Sequence, residues 1–126
     1  MMNTLGPRIL FVDDEIDCQS VFEMILKQEG YSVHAYFDPI EALSKFKPQY
    51  YDLLILDYRM EPMNGLSFMQ EIRKLDPLVK AILITAWQPE SIGGEVRNWF
   101  IGVQQKPVSQ EKLIEEIKIA LNQYGT

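Results

Sequence analysis

Five short apolar runs recur along the chain, and each gives way to a polar or turn-forming segment. The clearest are Ile9-Leu10-Phe11-Val12, Leu53-Leu54-Ile55-Leu56 and Ala81-Ile82-Leu83-Ile84. Such runs, bounded by turn residues, are the pattern of buried strands. Strands are predicted to begin near Arg8, Tyr31, Asp52, Lys80 and Phe100.

Amphipathic stretches fill the intervals. The first predicted helix carries Ile16, Val21, Met24 and Ile25 and closes at Gly30, a suitable helix stop. The second starts from Asp38 as N-cap, with Pro39 in the first turn, and runs to about Pro48. The third spans Leu66 to Leu75, ahead of Asp76-Pro77. The last begins at Ser109 and shows Leu113, Ile114, Ile117, Ala120 and Leu121 at helical spacing. The segment from Gln88 to Arg97 holds the pair Gly93-Gly94, and each glycine costs a helix roughly 1 kcal/mol relative to alanine. That segment is expected to be short, irregular or mobile. Strands alternating with helices give an α/β fold around a parallel sheet.

At 126 residues the chain makes one domain with a full core, expected to occupy about residues 7–123. It ends a few residues past the last helix, so no second domain is expected. A net charge of −6 argues against direct binding of nucleic acid, which needs clustered Lys and Arg. The N-terminal segment has no apolar signal core, and no run reaches membrane-spanning length. The single Cys18 forms no internal disulfide. Together these features point to a cytoplasmic protein without a membrane partner.

The strand ends carry the candidate chemistry. The first predicted strand runs into Asp13-Asp14-Glu15, the third ends at Asp57, the fourth at Thr85, and the fifth meets Lys106-Pro107. In a parallel sheet these ends lie along one edge, where open α/β sheets bind ligands. Two carboxylates ~5 Å apart repel by roughly 3 kcal/mol at an effective dielectric of ~20, so gathering three requires cations. Lys106 supplies one charge, and a hard divalent ion with oxygen ligands is the natural second. Any one of these residues has a bland explanation as a helix-cap acid or a solvated charge. All of them on one edge do not, and the set suits a phosphoryl group with Asp57 as nucleophile.

Asp13-Asp14, Asp57, Thr85-Ala86 and Lys106-Pro107, in that order at strand ends, make nearly the whole chain resemble the receiver domain of two-component response regulators. The resemblance implies a doubly wound, flavodoxin-like five-stranded parallel sheet in the order 2-1-3-4-5, with helices on both faces. It implies phosphorylation of Asp57 by a sensor histidine kinase or phosphotransfer protein, with a downstream effector or output domain as a further partner; whether the chain forms a homodimer stays open. Mg2+ or Mn2+ would be held by Asp14, Asp57 and the backbone carbonyl of Arg59, with Asp13 acting through water. Lys106, the Thr85 hydroxyl and the Ala86 amide would take phosphoryl oxygens. Such a protein is not an enzyme toward other molecules, because it catalyses only its own phosphorylation and dephosphorylation. Asp57 needs no base, since an ordinary carboxylate is ionised at neutral pH.

The chain departs from the family pattern at three places. Glu61 separates Met60 from Pro62, although the loop length to Gly65 is kept. The switch aromatic three residues before the lysine is Val103, which questions the usual threonine–aromatic coupling. Bulky Arg59 and Trp87 stand where access to the phosphoryl group is shaped.

Other functions fit less well. A haloacid-dehalogenase-like phosphatase needs a second Asp two positions after its nucleophile; Asp13-Asp14 are adjacent, and Arg59 stands two after Asp57. A flavodoxin-like FMN carrier would need Ser, Thr and Gly where Asp13-Asp14-Glu15 repel phosphate. A degenerate receiver used only for protein contacts, or a receiver that forms part of a multidomain regulator, stays open. His34 is expected to be a half-exposed strand residue, Cys18 a packing residue, and Trp99 a core or interface anchor.

Overall fold

The computed structural model describes residues 6–122, with the backbone alone for Ile16, Asp17 and Cys18. The expected packing role of Cys18 and the end of the expected core at residue 123 lie outside that description. Strands β1 (Arg8–Val12), β2 (Ser32–Tyr36), β3 (Leu53–Asp57), β4 (Lys80–Thr85) and β5 (Gly102–Gln105) alternate with helices. These are α1 (Ile16–Gln28), α2 (Pro39–Lys45), α3 (Gly65–Leu75), α4 (Gly94–Arg97) and α5 (Gln110–Ala120). The strands form one five-stranded sheet in the order β2-β1-β3-β4-β5, with every pair parallel.

The twofold alternation of strand side chains splits the core into two layers. Ile9, Phe11, Ile55, Ile82 and Ile84 pack with Phe22 and Leu26 of α1 and Leu113 and Ile117 of α5. Leu10, Val12, Leu54, Leu56 and Leu83 pack with Ala42 of α2 and Phe68, Met69 and Ile72 of α3. β3 is buried along its whole length. That explains its unbroken apolar sequence, since a central parallel strand has no solvent face.

The predicted elements are present, with local corrections. On α1, Val21 and Met24 are half exposed, while Phe22 and Leu26, four apart, form the buried stripe. α2 stops at Lys45, because Phe46 turns extended and drops its ring into the core. Lys47 precedes Pro48 and is itself restricted from helical geometry. β2 and β3 each begin one residue later than predicted, and β5 begins two later, the last because the Phe100 amide still closes the α4 turn onto the Arg97 carbonyl at 3.0 Å. Gly30 does end α1, at φ 96°.

The segment after β4 is short and irregular. A 3₁₀ turn at Pro89–Ser91 precedes the four-residue α4. Ile92 is buried beneath it, and the Arg97 guanidinium donates to the Pro89 carbonyl at 2.7 Å. Among the described residues, no helix is long and apolar enough to cross a membrane.

The glycine penalty in this segment can be removed. A methyl group at Gly94 would meet nothing within 4 Å, and the backbone there is not left-handed. Gly94→Ala is therefore expected to raise stability by about 0.5–1 kcal/mol, chiefly by restricting the unfolded chain. Urea unfolding measures the change; a lower midpoint would contradict it.

Candidate functional site

The carboxyl ends of β1, β3 and β4, with the residue following β5, build one cluster. Asp13 follows β1 and is fully buried. Its amide donates to the Tyr36 carbonyl at 3.1 Å. Its Oδ1 accepts from the Glu15 amide at 3.0 Å, turning the chain into α1. The side chain of Gln19, buried on α1, donates to the Asp13 carbonyl at 3.2 Å and also to the Tyr36 carbonyl. Gln19 thus pins the two strand ends that carry the acid. No local pattern marks it, because a glutamine in an amphipathic helix reads as solvated.

Asp57 closes β3 and is 4% exposed. The loop after it returns tightly. The Gly65 amide donates to the Tyr58 carbonyl at 2.8 Å, and Asn64 caps α3 by accepting from the Ser67 amide at 2.8 Å. A Cβ at Gly65 would stand 2.5 Å from the Asp57 carbonyl oxygen. Any other residue there would push on the strand end that holds the acid. The turn expected to survive the Glu61-Pro62 departure is therefore present, with a cis peptide bond at that pair.

Lys106 follows β5, its amide donating to the Thr85 carbonyl at 2.7 Å. Its Nζ lies 3.1 Å from Asp57 Oδ2 and 3.2 Å from Asp13 Oδ2, and it also contacts Glu15 Oε1. Thr85 is buried, and its Oγ1 accepts from the Trp87 amide at 3.1 Å. Asp13, Asp14 and Asp57 offer carboxylate oxygens within 4.8 Å of one another. Asp13 Oδ2 is fully buried and has no hydrogen-bond partner although it faces the ammonium. Three hard oxygen donors with one buried oxygen left over fit a divalent cation.

Asp14 also lines a cavity of about 310 Å³ together with Tyr58, Arg59, Met60, Glu61, Asn64 and Trp87. The Trp87 ring sits against Tyr58, with centroids 5.3 Å apart. Arg59 and Trp87 therefore share this cavity with one of the acids, Asp14. Ala86 is exposed beside them. Val103 is not brought to the cluster; it is half-buried on β5 and packs against the α3-side core. His34 is half-buried as expected, its Nδ1 2.8 Å from the Tyr51 hydroxyl, while Trp99 packs partly buried against the core beneath Arg73.

Electrostatics correct one expectation. Burial pushes the Asp57 carboxyl up to about 7, the Asp13 charge adds to the rise, and Lys106 opposes it without cancelling it. Without a bound cation Asp57 is thus not an ordinary ionised carboxylate at neutral pH. Burial alone would lower the Lys106 ammonium, but the Glu15 hydrogen bond and the Asp13 and Asp57 charges outweigh it and raise it.

With the geometry in place, comparison with known proteins is decisive. The family model for the response regulator receiver domain matches residues 9–118. The chain belongs to this family. A transcriptional regulatory protein of Bacillus subtilis, YkoG, is 35% identical over 121 residues, covering 94% of this chain and 52% of its own length. Transcriptional regulatory protein GlrR of Escherichia coli is 32% identical, covering 91% of this chain and 26% of its own. The receiver thus spans between about a quarter and a half of these relatives. Among solved structures, the response regulator TrrA of Thermotoga maritima, in complex with Mg2+ and BeF, superposes with a TM-score of 0.80 at 32% identity, covering 92% of this chain and all of that one. A CheY-like receiver from Methanospirillum hungatei gives 0.81 at 28% identity, covering 93% of this chain and 94% of that one.

The raised Asp57 carries a stability consequence. Its carboxyl holds a proton more tightly in the folded receiver, about 7, than at its ordinary 3.8, so stability falls as pH rises through that window and stays lower above it. Asp57→Asn removes the buried charge. In EDTA at pH 8 the variant is expected to be more stable than wild type by on the order of 2–4 kcal/mol, with the gap closing below about pH 4. Denaturant unfolding across pH checks this; a gap independent of pH would contradict it.

Proposed function

We propose that this receiver accepts a phosphoryl group on Asp57 from a phosphohistidine of a sensor kinase or phosphotransfer protein. The observation that carries this reading is the Lys106 ammonium, 3.1 Å from Asp57 and 3.2 Å from Asp13, at the carboxyl edge of the sheet. An Asp57 carboxylate oxygen attacks phosphorus, the P–O bond forms as the P–N bond breaks, and the imidazole leaves with the electron pair. The protein's part is positioning and charge neutralisation, as in phosphoryl transfer generally. Lys106 balances the acids before transfer and pairs with a phosphoryl oxygen after it. The Thr85 hydroxyl and the Ala86 amide offer donors for another.

Asp13, Asp14, Asp57 and the Arg59 carbonyl would hold the Mg2+ or Mn2+ that the acid cluster fits. When bound, the ion neutralises the carboxylates and the transferring phosphoryl group, and favours the ionised form of Asp57 that the metal-free site disfavours. Asp57→Asn removes the nucleophile while keeping its shape.

The reaction modifies the receiver itself, so the protein is a phosphoprotein switch rather than an enzyme with an external product. Its place is the cytoplasm, where it would signal to an output domain or effector. Relatives named as transcriptional regulatory proteins support an output of that kind. Val103 in place of an aromatic favours a route to output other than the threonine–aromatic coupling.

Incubation with acetyl phosphate and Mg2+, followed by borohydride trapping and mass spectrometry, is expected to place the modification on Asp57. EDTA or Asp57→Asn abolishes it, and Lys106→Ala slows it by about tenfold or more. Equal labelling of Asp57→Asn would sink the assignment. Trp87 gives an independent readout. Its emission is expected to change when Mg2+ and beryllofluoride are added, and the change disappears in Trp87→Phe, which retains Trp99. A signal that survives in that variant would show that the Trp87 loop does not sense the site.

A further inference from the structure

The phosphoacceptor reading leaves one contact of Lys106 unused. An ammonium has three N–H donors, and here it faces three carboxylates, those of Asp13, Asp57 and Glu15. Asp13 and Asp57 are built into the site, with side chains 0% and 5% exposed, whereas that of Glu15 is 62% exposed. Glu15 is also the N-cap residue of α1, yet its side chain makes no capping bond. The cap is supplied instead by Asp13 Oδ1 to the Glu15 amide at 3.0 Å. The Glu15 carboxylate is therefore free of the helix and directed at Lys106.

When Asp57 becomes an acyl phosphate its own carboxylate charge is lost, and the donor it held passes to a phosphoryl oxygen. The phosphoryl group carries more negative charge and more acceptor oxygens than the carboxylate it replaces, so it repels and competes with the two carboxylates that remain on Lys106, Asp13 and Glu15. Releasing Asp13 would strand a buried charge, which is costly. Releasing Glu15 returns an exposed carboxylate to water, where an ion pair is worth little. We propose that Glu15 is a built-in anion that holds the Lys106 ammonium before phosphorylation and is displaced by a phosphoryl oxygen. It acts as a positioning residue that sets how readily Asp57 is loaded. This rests on the phosphoacceptor reading of Asp57.

The test uses the full chain with beryllofluoride as the phosphoryl mimic, in saturating Mg2+, with binding followed by 19F NMR. Glu15→Gln is expected to bind the mimic about two- to fivefold more tightly than wild type, the range an exposed ion pair confers. Mg2+ alone is not expected to bind more tightly to that variant, because a negative charge has been removed. Structural damage cannot mimic the result, since damage weakens binding. Glu61→Gln serves as the charge control: Glu61 lines the neighbouring cavity but is not among the carboxylates paired with Lys106, which are Asp13, Glu15 and Asp57. It is expected to give less than half of the gain. Equal or weaker binding by Glu15→Gln would overturn the proposal, as would an equal gain from Glu61→Gln, which would mark a general field effect. Wild-type protein that neither binds the mimic nor is labelled at Asp57 would bring down the phosphoacceptor reading itself, and the Glu15 proposal with it.

Discussion

Everything at this site depends on one cation placed among acids that would otherwise repel. Carboxylate oxygens of Asp13, Asp14 and Asp57 lie within 4.8 Å of one another, a separation at which each pair costs roughly 3 kcal/mol at an effective dielectric of ~20. Lys106 offsets part of that cost only because its backbone is fixed. Its amide is tied to the Thr85 carbonyl at 2.7 Å, at the end of a strand paired along β4. The parallel sheet is what makes the arrangement possible, since it places strand ends from distant parts of the chain along one edge. Gly65 and Gln19 then hold the loops close enough for the charges to meet. These are packing constraints, yet what they produce is electrostatic.

The same view explains why so much was legible in the sequence. Each strand end was marked twice, by the close of an apolar run and by the polar residue that followed, so Asp13, Asp57, Thr85 and Lys106 could be placed without coordinates. Strand order came from family resemblance, because alternation alone does not set it. Other features depended on distances that no local pattern encodes. Gln19 is buried only because two strand carbonyls lie above it. The Glu15 contact with Lys106 joins residues 91 positions apart. The apolar positions of α1 gave a helix but not which stripe faces inward, and Val21 and Met24 turned outward where Phe22 and Leu26 turned in.

The ionisation of Asp57 is the clearest case of a property the sequence could not hold. Its apolar neighbours in β3 announce burial, but the rise to about 7 depends on how far burial and Asp13 outweigh a lysine from another strand. That balance has a functional sense on the proposed reading. A site in which the nucleophile is strained when metal-free favours whatever brings positive charge to it. A phosphoryl group then arrives where cations are already collected. Stability is traded for a poised site, a common feature of functional clusters of buried charge.

Thr85 shows how such a site can report its state. A hydroxyl has one donor and two acceptor positions, and one acceptor position already takes the Trp87 amide at 3.1 Å. The donor remains available for a phosphoryl oxygen. A rotation of the buried hydroxyl toward that oxygen would alter its alignment with the Trp87 amide, which begins the loop leading to the 3₁₀ turn and α4. In a receiver with an aromatic at position 103, a ring could follow the threonine. Here Val103 is a small, half-buried side chain packed against the core, with no ring to follow the threonine. Trp87 is 45% exposed, lies against Tyr58, and shares its cavity with Asp14 and Arg59. The large, half-exposed aromatic thus stands on the β4 side of the site, in a residue whose backbone amide is hydrogen-bonded to Thr85 Oγ1. The change in surface on phosphorylation is accordingly expected around the loop after β4 rather than along β5.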